Sequence, residues 1–400
     1  MADLNQTVSA ERLHIAFFGK RNAGKSSLVN AVTGQSLAVV SPVKGTTTDP
    51  VQKAMELLPL GPVVIIDTPG YDDEGELGQL RVEKTNQVLA KTDIAVLVYD
   101  AALGMSREDC ALLERLKARN IPVIPAANKS DLLSASPETR KDRSKGAEPV
   151  YVSALTGEGV NELKERLAAL APSSGNRFIL ADLVEPGDRV VLVIPIDESA
   201  PKGRLILPQQ LTLRELLDLH CVPICCQVEE LPALLDDLKT PPRLVVTDSQ
   251  AFGRVSPLVP ASLPLTSFSI LFARYKGQLS ALAAGAKALS RLKDGDRVLI
   301  SEGCTHHRQC GDIGSVKLPA WVRQYSGKEL EFSFTSGGEF PEDLSGFALV
   351  IHCGGCMLNE AAMQHRIRVA EACGVPIVNY GMAIAQIHGI LARSLEPFGM

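Results

Sequence analysis

A strand, a glycine-rich loop and a helix follow one another without a break, and no other stretch limits the fold of this chain as tightly. His14-Ile15-Ala16-Phe17-Phe18 is an apolar run of the length of a buried strand. It enters Gly19-Lys20-Arg21-Asn22-Ala23-Gly24-Lys25-Ser26, which fits G-x-x-x-x-G-K-[ST], and then the helical Ser27-Leu28-Val29-Asn30-Ala31-Val32. Strand, loop and helix in that order are the context in which the motif is a phosphate loop. Glycines let backbone N–H groups turn toward phosphate oxygens, and the helix N-terminus adds positive potential. Lys25 is placed for the β- and γ-phosphates and the Ser26 hydroxyl for magnesium. Gly19, Asn22, Ala23, Gly24, Lys25, Ser26 and Ser27 are the expected phosphate-binding set.

Further strand ends carry matching chemistry. Val63-Val64-Ile65-Ile66 runs into Asp67-Thr68-Pro69-Gly70. Asp67 can hold magnesium through water, and the Gly70 amide can meet a γ-phosphate. Val123-Ile124-Pro125-Ala126-Ala127 runs into Asn128-Lys129-Ser130-Asp131. A carboxylate there accepts from both N1–H and the exocyclic amine of guanine, a pair that adenine lacks, so GTP is selected by the cost of leaving that carboxylate unpaired. Val150-Tyr151-Val152 runs into Ser153-Ala154-Leu155, whose backbone can receive guanine O6. Between the first two elements, Gly45-Thr46-Thr47-Thr48-Asp49-Pro50 offers Thr46 or Thr47 to magnesium.

In this order and spacing the five elements resemble a translation-factor-class small GTPase domain, from Leu13 to Leu170. Ras-like enzymes carry a water-orienting glutamine after the aspartate motif; this chain has Tyr71, so water must be oriented from elsewhere. Asn22 stands where potassium-activated GTPases hold a monovalent cation with an asparagine. By that resemblance potassium supplies the charge of an arginine finger; otherwise Asn22 turns or caps the loop. Slow intrinsic hydrolysis, suited to a switch, is expected either way.

The chain is 400 residues long, which calls for two or three domains. Pro172-Ser173-Ser174-Gly175-Asn176 is a polar, helix-breaking linker after the first. A net charge of -5 offers no basic field for nucleic acid, and no apolar run is long enough to span a bilayer. Met1 to Arg12 lacks the apolar core of a signal peptide, so a cytoplasmic protein is expected. In a reducing compartment the nine cysteines are metal ligands or buried thiols sooner than disulfides.

After the linker, Arg189 to Ile194, Ile224 to Val228 and Leu244 to Thr247 read as strands, with helices at Leu213 to Leu219 and Leu231 to Leu238. This is a small α/β unit of a size that self-association helps to stabilise. Neighbouring Cys225 and Cys226 on a strand point to opposite faces, so these two and Cys221 read as buried thiols and not, with His220, as a metal site.

The last segment carries a different chemistry. The strand Arg297 to Ser301 delivers Glu302-Gly303-Cys304-Thr305-His306-His307. The strand Phe347 to Ile351 delivers His352-Cys353-Gly354-Gly355-Cys356, followed by a helix from Asn359 to Cys373. Ligand sites gather at the carboxyl ends of parallel strands, so the two loops are expected to converge. Cys353 and Cys356 can grip one metal centre from one turn, and Cys304 gives a third thiolate. Three thiolates fit a 4Fe-4S cluster with one iron open or bound by a weaker ligand, for which His306, His352 and Glu302 are the candidates. A tetrahedral zinc site of three thiolates and one imidazole fits the same residues, and spacing does not separate the two.

A GTPase domain, a middle α/β segment, and Cys-x-His followed far downstream by His-Cys-x-x-Cys resemble the FeFe-hydrogenase maturation GTPases, the HydF family, over essentially the whole chain. The resemblance implies an α/β architecture of three parts: a P-loop GTPase domain at 1–172, a dimerisation domain at 178–262 and an iron–sulfur cluster-binding domain at 263–400. It assigns the cluster cysteines to Cys304, Cys353 and Cys356 and the motif histidines to His306 and His352. It implies a homodimeric scaffold that holds a 4Fe-4S cluster, receives a diiron precursor bearing carbon monoxide and cyanide, and passes it to the apo FeFe-hydrogenase. Two radical SAM maturases are the implied upstream partners, and GTP hydrolysis is regulatory. The alternative is a zinc-bearing regulatory GTPase in tRNA modification or ribosome assembly.

Overall fold

The computed structural model describes residues 9–35, 50–70, 84–133, 148–171, 178–196, 205–276, 279–303, 313–356 and 358–400. The chain divides into two compact units, residues 1–173 and 174–400.

In the first unit β1 (Leu13–Gly19) is central because its apolar run has no polar face to leave in water. Alternate residues feed two cores: Ile15 and Phe17 pack in one, Ala16 and Phe18 in the other. Burying each phenylalanine fully contributes about 1.5–3 kcal/mol. Around β1 the sheet order is β2-β3-β1-β4-β5-β6, with β2 (Val51–Leu57), β3 (Gly61–Asp67), β4 (Ile94–Asp100), β5 (Val123–Asn128) and β6 (Val150–Tyr151). Only the β2–β3 pair is antiparallel. Hence β1, β3, β4, β5 and β6 all end on the same edge, and each of the expected motifs that is described follows one of those ends. A side chain at Gly19 would collide with the Val98 carbonyl, so the last residue of β1 must be glycine for β4 to pair this closely. Helices α1 (Lys25–Thr33), α2 (Arg107–Ala118) and α3 (Val160–Leu170) cover the faces. Helix α2 starts at a reciprocal cap between Ser106 and Asp109.

The second unit holds two parallel four-stranded sheets. One has the order β10-β9-β7-β8, from β7 (Arg189–Val193), β8 (Val222–Cys226), β9 (Leu244–Thr247) and β10 (Leu265–Ser267). Its helices include α4 (Leu207–Asp218), which starts six residues earlier than the sequence pattern suggests because Pro208 sits in its first turn, and α5 (Leu231–Asp237). Strand β10 and helix α6 (Phe268–Tyr275) lie beyond residue 262, so this sheet extends past the border expected there. The other sheet has the order β12-β11-β13-β14, from β11 (Arg297–Ser301), β12 (Glu331–Thr335), β13 (Leu349–His352) and β14 (Ile377–Asn379).

A single apolar core joins the two sheets, with Val191 and Val245 from one and Val298, Ile300 and Val350 from the other. Helices α7 (Leu279–Ala288), α8 (Leu318–Ser326), α9 (Glu360–Ala372) and α10 (Tyr380–Ile387) complete the layers about the second sheet. Close packing at the join needs glycine: any side chain at Gly285 would strike Ile377 backbone, and one at Gly381 would strike Ser249 and Ser269. The expectation of buried thiols holds for Cys221, whereas Cys226 is half-buried and Cys225 is exposed. The reason is that β8 is an edge strand whose sole neighbour is β7. Burial pushes the Cys226 thiol up to about 11, with help from Glu230 and Cys225. No helix among the described residues is long and apolar enough to cross a membrane.

Candidate functional site

The phosphate loop is shaped by backbone before any side chain acts. Asn22 and Gly24 are both left-handed, at φ +62° and +81°, and together they fold the chain back over the end of β1 so that α1 can begin at Lys25. Lys25, Ser26 and Asp67 then meet at one point. The Lys25 ammonium lies 3.1 Å from Asp67 Oδ1, and the Ser26 hydroxyl donates to Asp67 Oδ2 at 2.6 Å. Both partners of the ion pair are nine-tenths buried. Thr68 locks the carboxylate's strand to β1 by donating its hydroxyl to the Phe17 carbonyl at 2.8 Å. Pro69 and Gly70 follow, half-buried at the same edge. The arrangement gathers a cation, a hydroxyl and a carboxylate, the group types that a magnesium-bound phosphate requires. Thr46, Thr47 and Tyr71 lie outside the described residues.

The loops expected to recognise the base are tied together by one buried side chain. Asn128, 1% exposed, donates Nδ2 to the Ala23 and Gly24 carbonyls at 2.9 and 3.3 Å. Its Oδ1 accepts from the Ala154 N–H at 3.1 Å. One side chain thus ties the phosphate loop to the loop after β6, and a Cβ at Gly24 would collide with it. Lys129, left-handed at φ +64°, donates to Asp100 Oδ2 at 2.7 Å. Burial acts to raise the Asp100 carboxyl, but Lys129 and the Ala102 and Leu103 N–H groups outweigh it and hold it below its ordinary value. Asp131 is exposed, and its Oδ1 accepts the Ser153 hydroxyl at 2.5 Å. Asp100 was not singled out by sequence reasoning; its position at the end of β4, a strand the motif search passed over, was the available signal.

In the second unit β11 and β13 are neighbours in register, Ser301 opposite His352, so Gly303 and Cys353 come together although fifty residues separate them. The Cys353 N–H donates to the Ser301 carbonyl at 3.0 Å. Cys353 Sγ accepts the Gly303 N–H at 3.0 Å and the Gly355 N–H at 3.4 Å, the kind of bonds that tune a ligating sulfur. Gly355 turns the loop at φ +63°, and a Cβ there would meet Met363 Sδ at 2.6 Å. Gly303 is equally tied, since a Cβ would meet Leu358 Cγ at 2.7 Å.

His352 is 1% exposed, and its Nδ1 meets the Cys353 carbonyl, which makes Nδ1 the protonated nitrogen. Nε2 is buried and has no hydrogen-bond partner among the described residues. Burial, the Arg366 charge and the Lys276 charge together outweigh the Cys353 carbonyl and push the imidazole down to about 3, so it is neutral with a bare lone pair. Glu302 is half-buried and accepts the Tyr380 hydroxyl at 3.3 Å. Cys304 and His306 lie outside the described residues, and among the described residues no three His, Cys, Asp or Glu side chains form a metal-holding group. What is described fits a thiolate-bound metal in its donor chemistry: a sulfur met by two N–H groups, and a neutral imidazole with an orphaned nitrogen.

Two residues that frame this site escaped the sequence reading. Arg366 is 3% exposed, donates to Ser301 Oγ at 2.9 Å and to the Gly337 carbonyl at 2.7 Å, and stacks on Phe340. Lys276 is 6% exposed and reaches the Gly355 and Leu358 carbonyls. Charged residues in helical stretches read as solvated faces, so no local signal marked either.

A Rossmann-like parallel edge carrying a phosphate loop, a magnesium-type carboxylate and a guanine-type motif defines a GTPase. The model of the 50S ribosome-binding GTPase matches residues 14–129. Beyond it, the hydrogen maturase F dimerization domain matches residues 179–277 and the hydrogen maturase F tetramerization domain matches 280–397. The chain belongs to the hydrogen maturase F family and joins a GTPase domain to that family's dimerization and tetramerization domains.

The GTPase part has curated relatives of other kinds. The tRNA modification GTPase MnmE of Paraburkholderia xenovorans is 37% identical over 163 residues, 40% of this chain and 35% of that protein. GTPase Der of Kosmotoga olearia is 32% identical over 184 residues, 43% of this chain and 41% of that protein. The chain thus spans well under half the length of the curated relatives it matches. Among solved structures, Aquifex aeolicus Era bound to GDP.AlF4- aligns at TM-score 0.37 and 23% identity, over 54% of this chain and 93% of that one. The G domain of the T. maritima FeoB iron transporter aligns at TM-score 0.31 and 26% identity, over 40% and 100%.

Proposed function

We propose that this chain is a cytoplasmic, oligomeric scaffold for the metal site of an FeFe-hydrogenase. It holds a 4Fe-4S cluster through Cys304, Cys353 and Cys356 and carries a diiron precursor with carbon monoxide and cyanide ligands to the apo-hydrogenase. Radical SAM maturases supply that precursor. The observation that carries the reading is the Gly303 N–H donating to Cys353 Sγ across the β11–β13 pair, with the buried, neutral His352 beside it. When bound, the cluster would supply an iron that the three cysteines leave available to a further ligand. The protein's part is to hold it: Cys353 and Cys356 from one turn, Cys304 from the end of β11, with His352, His306 or Glu302 at the remaining position.

In the first unit Lys25 holds the β- and γ-phosphates, and Ser26, Thr47 and Asp67 hold magnesium. The Gly70 amide senses the γ-phosphate, Asp131 reads guanine, and the Ser153-Ala154 backbone receives its O6. Asn22 offers its side chain to potassium. The test is metal analysis with EPR after anaerobic reconstitution: about four irons per chain and a reduced-cluster signal are expected. Stoichiometric zinc without iron would replace this reading with that of a regulatory GTPase bearing a structural metal.

A further inference from the structure

The loop that carries Cys353 and Cys356 is held from below by a buried ammonium. Lys276 directly follows α6 and caps it, its N–H donating to the Phe272 carbonyl at 2.9 Å. Its own carbonyl accepts Gln364 Nε2 from α9 at 2.9 Å. From this fixed backbone the side chain runs inward, and Nζ donates to the Gly355 carbonyl at 2.8 Å and the Leu358 carbonyl at 2.7 Å. Gly355 lies between the two cysteines and Leu358 just after them, so both ends of the turn are held by one group.

The base of that lysine is itself braced. Arg274, two residues earlier, pairs with Asp182 and lies between the rings of Phe178 and Phe398, at 5.2 and 5.3 Å. A site positioned by rigid elements in this way keeps its geometry when the ligand arrives. Taking an ammonium out of water is costly, and two neutral carbonyls could be joined as well by a water molecule or an amide. What the ammonium adds is charge, and its two hydrogen bonds fix that charge against the loop that carries Cys356.

We propose that Lys276 is a positioning residue for the metal centre: it locks the Gly355–Leu358 turn that presents the two cysteines, and it sets a fixed positive charge against the thiolate-bound cluster, favouring the cluster's reduced form. This rests on the cluster reading given above.

The experiment compares the full chain with Lys276→Met, Lys276→Gln and Lys276→Arg after anaerobic iron and sulfide reconstitution. Two quantities are read: the rate of iron loss to a ferrous chelator, and the cluster's midpoint potential by EPR-monitored dithionite titration. Lys276→Met is expected to lose iron about 10- to 100-fold faster, as for other groups that orient metal ligands, and to titrate at a more negative potential. Lys276→Gln keeps a donor but no charge, so it should show the same negative shift with milder iron loss; it also serves if the methionine variant folds poorly. Lys276→Arg should restore the potential. A Lys276→Gln protein with wild-type iron retention and wild-type potential would overturn the proposal while leaving the cluster reading intact. Wild-type protein that takes up no iron would sink the cluster reading, and this proposal with it.

Discussion

The two sites of this chain use the same structural device with different reach. In the first unit each loop is a contiguous motif at one strand end, and the side chains that define it bond to one another: Lys25 and Ser26 to Asp67, Asn128 to Ala23, Gly24 and Ala154. In the second unit the loops after β11 and β13 meet only because those strands pair in register, and the site is held largely by residues outside the motifs, Lys276 and Arg366 among them. A phosphate site is a property of a short stretch of backbone; a thiolate site at two strand ends is a property of the tertiary fold. The difference teaches that GTP turnover and metal content can be perturbed one at a time.

The largest effect that would test this separation comes from Lys25→Ala. Removing the ammonium proposed to hold the phosphates should lower GTP turnover by about 10²–10³-fold, the scale for losing a preorganised charge partner. Iron content of the reconstituted protein should not change; a parallel loss of iron would join the two sites. The mirror experiment is Cys353→Ser, which should strip most of the iron and leave turnover within about twofold, because Cys353 shares no partner with the phosphate loop and belongs to the other compact unit. Next comes Asn128→Ala, which leaves the Ala23 and Gly24 carbonyls and the Ala154 N–H without their partner. Urea unfolding of the first unit should weaken by about 1–3 kcal/mol, with nucleotide affinity falling alongside. An unchanged midpoint would mean the asparagine is not the tie described here.

The smallest effect is a pH dependence confined to the first unit. Burial, and the nearby Lys91 charge, outweigh the bond to the Arg12 carbonyl and push His14 down to about 4. Its pKa is therefore lower folded than unfolded. The unfolded chain binds the proton first as pH falls below about 6.5, so the stabilisation is complete above that pH and is lost progressively toward 4. The slope is at most about 1.4 kcal/mol per pH unit from this residue, and carboxylates add their own. His14→Gln should flatten the curve between pH 6.5 and 4; an identical curve would remove His14 from the account.

How much of this was readable beforehand follows from the same contrast. Motif loops at Gly19, Asp67, Asn128 and Ser153 and the strands that feed them were legible because an apolar run ending in glycine or a short polar residue is a local signal. Helices α2 and α3 start at local signals, one at the Ser106 cap and the other at the left-handed Gly159. Strand β4 was passed over although all but its last residue are buried, because no motif of the expected set follows it. Strand β10 is three residues bounded by Pro264, too brief for any period to register. Helix α10 was missed because it is apolar almost throughout, so that tertiary burial and not amphipathic spacing holds it, whereas α6 and α8 do carry an amphipathic pattern, over only two or so turns. At the candidate metal site the cysteines and histidines were visible, while the orphaned Nε2 of His352 and the Lys276 clamp depend on packing that no local pattern encodes.

The central claim, two separable sites of which the second holds an iron–sulfur cluster, is tested most directly by iron and acid-labile sulfide content of the anaerobically reconstituted chain beside its Cys353→Ser variant, with GTP turnover measured on the same samples. The account predicts about four irons in the parent, most of them lost in the variant, and equal turnover in both. Equal iron in the two proteins, or stoichiometric zinc in place of iron, would contradict it.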